Sequence, residues 1–335
     1  MELSWLLVFK IGVSLVAVLT GIGMFSELSW AVKLKVTAAL LVGIILIGLL
    51  AWPLATPVEP FGVVSVPAFG GAITLVGLAV LAGFIGYFLS WPHGREIGIL
   101  AVPSGLAIWA VRCGNMASLM QLKPTLVQRQ ALFTALKWEP VFWLAIVAAG
   151  FGGVLVGQRI SAKPEPNESQ RRQASCGEKT DSKANIYLNL ALRKGGGNAI
   201  IAVVASVLIA QFCIGIFAQD IRIPDYKLGS VVAQPAIGQI VFAVLVSFGI
   251  AAFAVKKFLN ASYIWPTVAS ALVTGFAVIT YVKQDILQHL IERYPPAFFS
   301  NVVISILPVQ MVAFGVLGSI TGYWLAVRCP RLCLR

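Results

Sequence analysis

Runs of about 20 apolar residues recur along the chain, and they limit the folds that are open to it. A helix needs about 20 mostly apolar residues to cross the hydrocarbon core of a bilayer. We identify nine candidate spans, at about residues 5–25, 36–55, 68–90, 97–112, 140–158, 198–218, 236–255, 262–282 and 301–327. The sequence therefore predicts an all-α fold, a polytopic transmembrane helix bundle.

The composition agrees with lipid as the main solvent of the chain. Charged residues make up 11% and apolar residues 59% of the 335 positions, whereas soluble domains carry about a quarter charged residues. The 25 Lys and Arg exceed the 13 Asp and Glu, giving a net charge of +12. Because the basic residues lie mostly between apolar runs, we attribute them to membrane topology and anionic lipid. We expect the lipid bilayer and other membrane proteins as partners, and no nucleic acid.

The distribution of basic residues predicts the orientation. With the N-terminus outside and the C-terminus inside, 16 Lys and Arg lie on the inner side and nine on the outer side. This bias follows the positive-inside rule. We expect the chain to lie in a bacterial cytoplasmic (inner) membrane, with the N-terminus outside and the C-terminus in the cytoplasm. The alternative for the first span is a cleaved signal peptide, although "MELSW" lacks a basic side chain.

A polar stretch divides the chain near its middle. Pro, Glu, Ser, Lys and Gly dominate "SAKPEPNESQRRQASCGEKTDSKANIYLNLALRKGGG", so this segment is expected to be a flexible cytoplasmic linker. The predicted organisation is an additional N-terminal helix (1–30), a four-span unit (31–160), the linker (161–197), a second four-span unit (198–327) and a basic tail (328–335).

The two four-span units share a register. "PAFGGAI" and "PAIGQIV" open long apolar runs 168 residues apart. The same shift pairs Pro67 with Pro235, Gly70 with Gly238, Pro140 with Pro308, and Gly150 with Gly318. Since four spans return the chain to its starting side, the pattern predicts a parallel repeat related by an axis along the membrane normal. The alternative is that evenly spaced spans overlay at half the chain length without common origin.

Two outer segments have amphipathic patterns. In "PTLVQRQALFTALKW", Leu132, Phe133 and Leu136 are predicted to share a face opposite Arg129. In "KQDILQHLIERYPP", the apolar residues recur at helical spacing and His289 is predicted to face away from them. We expect a short helix on the outer surface from each segment.

Chemical motifs are sparse. No acidic residue falls within a predicted span, and Glu139 and Asp220 lie at span edges. The two histidines, His93 and His289, are predicted on opposite sides of the membrane, so they cannot ligate one haem or metal together. HExxH, GxSxG and P-loop patterns are absent, and the five cysteines form no CxxC pair. We expect no enzyme, no cofactor and no metal site.

The spans instead offer small residues and a few amides. Glycines four residues apart, such as Gly153 and Gly157 or Gly318 and Gly322, allow helices to approach closely. Gln211 and Gln310 must find hydrogen-bond partners in or near the membrane. Interhelical bonding is the simpler interpretation, and contact with a solute path is the alternative.

Two functions fit these features. The first is permease-like transport of a small neutral or amphiphilic solute, or of lipid, between two half-bundles. The second is a non-catalytic membrane subunit or scaffold that holds partner proteins or lipids. A polar-lined cavity between the halves would favour the first, and a dry, packed interface would favour the second.

Overall fold

The computed structural model describes residues 30–55, 69–161, 198–219, 221–294 and 298–328. Within these ranges, eight helices are long and apolar enough to cross a membrane. They are Trp30–Leu54, Gly70–Leu89, Gly94–Arg112, Leu126–Ser161, Asn198–Phe217, Ile237–Leu259, Ile264–Tyr281 and Pro308–Arg328. These helices indicate an integral membrane protein with a helical-bundle fold. The predicted first span, the linker and the basic tail lie outside the described residues.

The described parts of the first half-bundle, residues 30–55 and 69–161, contain eight α-helices and one π-helical stretch. Helix α1 (Trp30–Gly43) continues through a π-helical stretch (Ile44–Leu50) into α2 (Ala51–Ala55). The others are α3 (Phe69–Leu89), α4 (Gly94–Gly98), α5 (Ala101–Arg112), α6 (Met116–Leu122), α7 (Leu126–Leu136) and α8 (Glu139–Ser161). Three predicted spans in this half change by three residues or more: the second begins at Trp30 rather than 36, the fourth begins at Gly94 rather than 97, and the fifth runs over Leu126–Ser161 rather than 140–158.

The second half-bundle, residues 198–328, combines helices with a small sheet. Its elements are α9 (Asn198–Phe217), β1 (Arg222–Asp225), β2 (Gly229–Ala233), α10 (Ile237–Leu259), α11 (Ile264–Tyr281), α12 (Gln284–Arg293), β3 (Phe298–Phe299), a 3₁₀ turn (Val302–Ser305) and α13 (Pro308–Arg328). The last span therefore begins at Pro308 rather than 301. Proline suits this first helical position, where its missing N–H breaks no helical hydrogen bond.

The three-stranded sheet is an addition to the predicted helices. Its antiparallel strands have the order β1-β2-β3. The tight turn between β1 and β2 uses Gly229, whose φ is +72°, and the Asp225 carboxylate, which accepts hydrogen bonds from the Lys227 and Leu228 amides. All three strands lie between predicted spans, and strands this short give too little alternation for the hydrophobic pattern to mark them.

Glycine lets helices within each half meet backbone to backbone. In the first half, α3 packs along α8, and a Cβ placed on Gly83 would overlap the carbonyl of Gly150. In the second half, α10 packs along α13, and a Cβ on Gly322 would overlap the carbonyl of Gly249. These contacts agree with the close packing expected of small residues four apart.

The halves meet through α5 and α13 at the centre of the bundle. Every residue of Ala101–Val111 is buried, as is every residue from Pro308 to Ile320. Helix α13 contacts both α5 and α8, and α11 also contacts α8. Apart from Ser104, Gln310 and Ser319, these two buried stretches are apolar or glycine. The middle of the interface is thus closely packed.

The bundle has two distinct ends. The linker side carries residues 161 and 198, the start of α1, the α3–α4 and α10–α11 turns, and the end of α13. The far side carries α6, α7, the sheet, α12 and the 3₁₀ turn.

Two neighbouring glycines on α8 test the packing. Gly153→Ala would place a methyl group against the Val80 carbonyl of α3, whereas Gly152→Ala meets nothing within 4 Å. We expect Gly153→Ala to destabilise the protein by about 1–3 kcal/mol, as overpacking does, and Gly152→Ala to be neutral or slightly stabilising. Thermal unfolding of the two variants in detergent measures the difference. Equal stability of both variants would contradict the α3–α8 contact.

Candidate functional site

A cavity of about 620 Å³ lies between the half-bundles on the linker side. The first half contributes α1, α4 and the residues next to it, and the second half contributes the α10–α11 turn and the end of α13. The lining residues are Val32, Val36, His93, Arg95, Glu96, Ile97, Ile99, Ser262, Tyr263, Ile264, Tyr323, Trp324, Val327 and Arg328. The volume lies within the range of about 300–1,000 Å³ that is usual for small-molecule sites.

The charged groups of this cavity are two guanidinium groups and one carboxylate. Arg95 and Glu96 are exposed on α4, and Arg328 ends α13. Among the described residues, neither Arg95 nor Glu96 forms an ion pair within 4.0 Å. Burial raises the pKa of the Tyr263 phenol, and the positive charge of Arg95 opposes that shift.

Aromatic rings join the two halves at the wall of the cavity. Tyr263 meets Tyr323 edge to face, with ring centroids 5.4 Å apart, and also meets Phe151 of α8 at 6.3 Å. The Lys256 ammonium lies 5.1 Å from the centre of the Tyr323 ring. This Lys256 group also donates a hydrogen bond of 2.8 Å to the Asn260 side chain. A further cation thus lies behind the aromatic wall.

The far side of the same interface is closed by amide side chains. The Gln310 amide donates to the carbonyls of Gly114 (2.9 Å) and Ala110 (3.3 Å), and its oxygen accepts from the Leu307 amide (3.1 Å). The Gln234 oxygen accepts from the Ala117 backbone N–H at 3.1 Å. Both side chains belong to the second half and bond backbone groups of the first. We call these two residues the far-side clamp.

The two amphipathic helices on the far side, α7 and α12, contact each other. One predicted orientation in each was wrong. Arg129 is buried on the same side of α7 as Phe133 and Leu136, because positions four and seven residues apart share a face. Its guanidinium donates to the Lys123 carbonyl at 3.0 Å, which satisfies one of its polar groups. His289 is also buried rather than turned outward.

His289 belongs to a polar cluster that ties the sheet to α12. Both oxygens of the Asp225 carboxylate lie 3.0–3.1 Å from His289 Nε2, and the Tyr294 hydroxyl donates to one of them at 2.6 Å. Burial would raise the pKa of Asp225, but the hydrogen bonds from Tyr294, His289 and two backbone amides outweigh it and lower that pKa well below its usual range. The sequence pattern did not bring these residues together, because they lie 64 and 69 positions apart.

Three of the four repeat-matched pairs are fully described, and one of them differs in its contacts: a Cβ on Gly150 would meet the Val102 side chain of α5, whereas one on Gly318 would meet the Leu245 carbonyl of α10. Gly70 and Gly238 are exposed and have open space at the Cβ position. Pro140 and Pro308 are buried in the first turns of α8 and α13, and Gly150 and Gly318 are buried at helix contacts. Pro235 is buried, whereas Pro67 lies outside the described residues.

The two glutamines predicted near a solute path lie in different places. Gln310 is fully buried in the far-side clamp. Gln211 lines a separate cavity of about 370 Å³ on the far side of the second half, together with Gln219, Arg222, Ser300 and Asn301. The structure therefore does not bring Gln211 and Gln310 into one cavity wall.

Glu139 is more deeply placed than a span edge suggests. It is 3% exposed at the start of α8, and one of its carboxyl oxygens accepts a 2.9 Å hydrogen bond from the Trp143 indole. The other oxygen has no hydrogen-bond partner in the structure. The apolar windows marked the span from residue 140, which left Glu139 just outside it.

Sequence patterns also missed the lining of the linker-side cavity. "SWPHG" and "IWP" indicated interfacial tryptophans, yet His93, Arg95 and Tyr263 beside these motifs line the cavity. The shift of 168 residues does indicate part of this lining, because it aligns Arg95 with Tyr263 in the sequence, and both residues line the cavity. In the described part of the chain, no group of three or more His, Cys, Asp or Glu could hold a metal ion.

Comparison of the chain with protein-family models, curated proteins and solved structures finds no match.

The Asp225 cluster predicts a pH-dependent stability. A carboxyl whose pKa is lowered in the folded state stabilises the fold above its unfolded pKa of about 3.9, and that stabilisation is lost as the pH falls. We expect Asp225→Asn to have a lower melting temperature than the wild type at pH 7. The difference in melting temperature between the two proteins should become smaller below about pH 4. Thermal scans between pH 3 and 7 measure this difference, with the exposed Asp285→Asn as control. A difference that is independent of pH would contradict the assignment.

Proposed function

We propose that the chain is a membrane carrier in which two related half-bundles move an amphiphilic solute or lipid between them. One observation carries this proposal: the interface between the halves holds a cavity on the linker side and is clamped on the far side. A carrier that alternates between two states has this asymmetry in either end state. The proposal contains no catalytic step and needs no cofactor.

The helix boundaries support the relation between the halves. A shift of 168 residues moves α3 onto 237–257, where α10 is Ile237–Leu259, and moves α8 onto 307–329, where α13 is Pro308–Arg328. The pairings α3–α8 and α10–α13 both depend on glycine. Since each half has four candidate spans, an axis along the membrane normal relates them in this proposal.

The shift also revises which surface helices correspond. It moves α6 (Met116–Leu122) onto 284–290, within α12 (Gln284–Arg293). The same shift moves α7 onto 294–304, whose described residues form β3 and the start of the 3₁₀ turn instead of an α-helix. Amphipathic character alone would instead pair α7 with α12. In the proposed repeat, α6 is therefore the counterpart of α12, and α7 is particular to the first half.

The orientation remains that of the sequence, with the linker side in the cytoplasm of a bacterial cell. Among the described residues, seven Lys and Arg lie on the linker side and eight on the far side. The bias of 16 to nine therefore comes from residues outside the described ranges, nine on the predicted inner side and one on the outer side. Proteolysis of the linker in inside-out and right-side-out vesicles tests this orientation.

The scaffold function has one observation in its favour. The middle of the interface, between α5 and α13, is buried and mostly apolar. A carrier must open this contact, whereas a scaffold keeps it closed. The two functions therefore differ in whether the far-side clamp opens.

Native Cys113 reports that opening. It is 9% exposed beside Gly114, whose carbonyl accepts a hydrogen bond from Gln310. With the other four cysteines replaced by serine, we expect Cys113 in Gln310→Met to react with an impermeant maleimide about 30-fold faster than Cys113 in the parent protein. The reason is that the variant loses two hydrogen bonds between the halves, worth roughly 1 kcal/mol each.

Gln239→Met is the matched control, because Gln239 bonds the Phe217 carbonyl within the second half. Its labelling rate should equal that of the parent. Circular dichroism and thermal unfolding establish that both variants are folded. Unchanged labelling of a folded Gln310→Met variant would contradict the carrier and favour the scaffold.

A further inference from the structure

We propose that the linker-side cavity binds an anionic amphiphile, with a phosphate or carboxylate head group at Arg95 and Arg328. This names the substrate class of the carrier proposed above and rests on that function only for movement of the ligand. Binding at the cavity is measured separately.

The charge of the cavity selects an anionic head group. Its two guanidinium groups face one carboxylate, and Lys256 adds a cation behind Tyr323. Guanidinium groups bind phosphate and carboxylate oxygens through two parallel N–H donors. Arg95 has no ion pair among the described residues, so its charge is available to a ligand. A cationic ligand would meet repulsion, and a neutral one would leave this guanidinium without a counter-ion.

The two arginines come from different half-bundles, so both halves form the site. Arg95 belongs to the first half-bundle and Arg328 to the second, and both line one cavity. A head group in this cavity would therefore contact both halves on the linker side. Binding of such a ligand would thus bias the halves toward contact on the linker side.

The remaining lining suits an apolar chain. Val32 and Val36 of α1 face the cavity from one half, and Trp324 and Val327 of α13 face it from the other. Tyr263 and Tyr323 also line the cavity, and the Lys256 ammonium lies 5.1 Å from the centre of the Tyr323 ring. Each methylene group that such a chain removes from water favours binding. The ligand class with a charged head and an apolar chain therefore uses both parts of the lining, whereas a small inorganic anion uses only one.

The test measures binding to the purified full chain in a neutral maltoside detergent. The probes are phosphatidylglycerol, phosphatidylcholine with the same chains, and inorganic phosphate, each titrated while bound stoichiometry is followed by native mass spectrometry. We expect one tightly bound phosphatidylglycerol, with phosphatidylcholine and inorganic phosphate at least tenfold weaker. Arg95→Gln should weaken phosphatidylglycerol binding about tenfold, and Arg95→Lys should weaken it less.

The control is Arg159→Gln, which removes an exposed arginine on the linker side that does not line the cavity. Its affinity should stay within twofold of the wild type. Because Arg95 is exposed and makes no described hydrogen bond, its variants should fold, and thermal unfolding without lipid checks this.

Each other outcome has a definite meaning. If Arg95→Gln and Arg159→Gln lose the same affinity for phosphatidylglycerol, the lipid is held by general attraction to the positive surface, and the proposed site is wrong. If inorganic phosphate binds as tightly as phosphatidylglycerol, the ligand is a soluble anion, and the proposal of an amphiphilic ligand is wrong. If lipid binding depends on Arg95 but the labelling rate of Cys113 is unchanged in Gln310→Met, the binding site is supported and the carrier function is refuted.

Discussion

Close backbone contact at glycine is the constraint on which this bundle depends. In lipid, apolar side chains gain little by leaving the solvent, so helices associate through packing and interhelical hydrogen bonds. Gly83 and Gly150 provide that contact in the first half, and Gly249 and Gly322 provide it in the second. Each pair fixes two long helices as one body. The two half-bundles contact each other chiefly through α5 and α13, and these contacts differ between the linker side and the far side.

The ends of the interface differ in how their polar groups are satisfied. On the far side, Gln234 and Gln310 place their amides on backbone groups of the other half, which closes the contact. On the linker side, Arg95 and Arg328 face a cavity of about 620 Å³. A buried amide that is fully bonded holds two elements together, and a guanidinium group beside a cavity offers donors to a ligand. This contrast connects the packing of the helices with the proposed movement of an amphiphile.

Much of the bundle was predictable from the sequence, and the site was not. Hydropathy marks helices well because each span must satisfy its own backbone and expose apolar side chains to lipid. Side-chain partners such as Asp225 and His289, or Gln310 and Gly114, are separated by 64 and 196 positions, and nothing in local periodicity links them. The sheet and the burial of Arg129 were not predicted for a related reason, because short strands and single polar residues on a helix give no periodic signal. Arg95 and Tyr263 lay in turns, where the pattern indicated only anchoring tryptophans.

Distances between the halves at both ends test the central claim most directly. Spin labels at Leu34 and Phe258 report the linker side, and labels at Val127 and Lys227 report the far side; all four positions are exposed. Double electron–electron resonance in lipid nanodiscs would compare samples with and without phosphatidylglycerol. The carrier predicts two distance populations in each pair, with the linker-side and far-side distances changing in opposite directions. A single narrow distribution in both pairs, unaltered by lipid, would contradict the account.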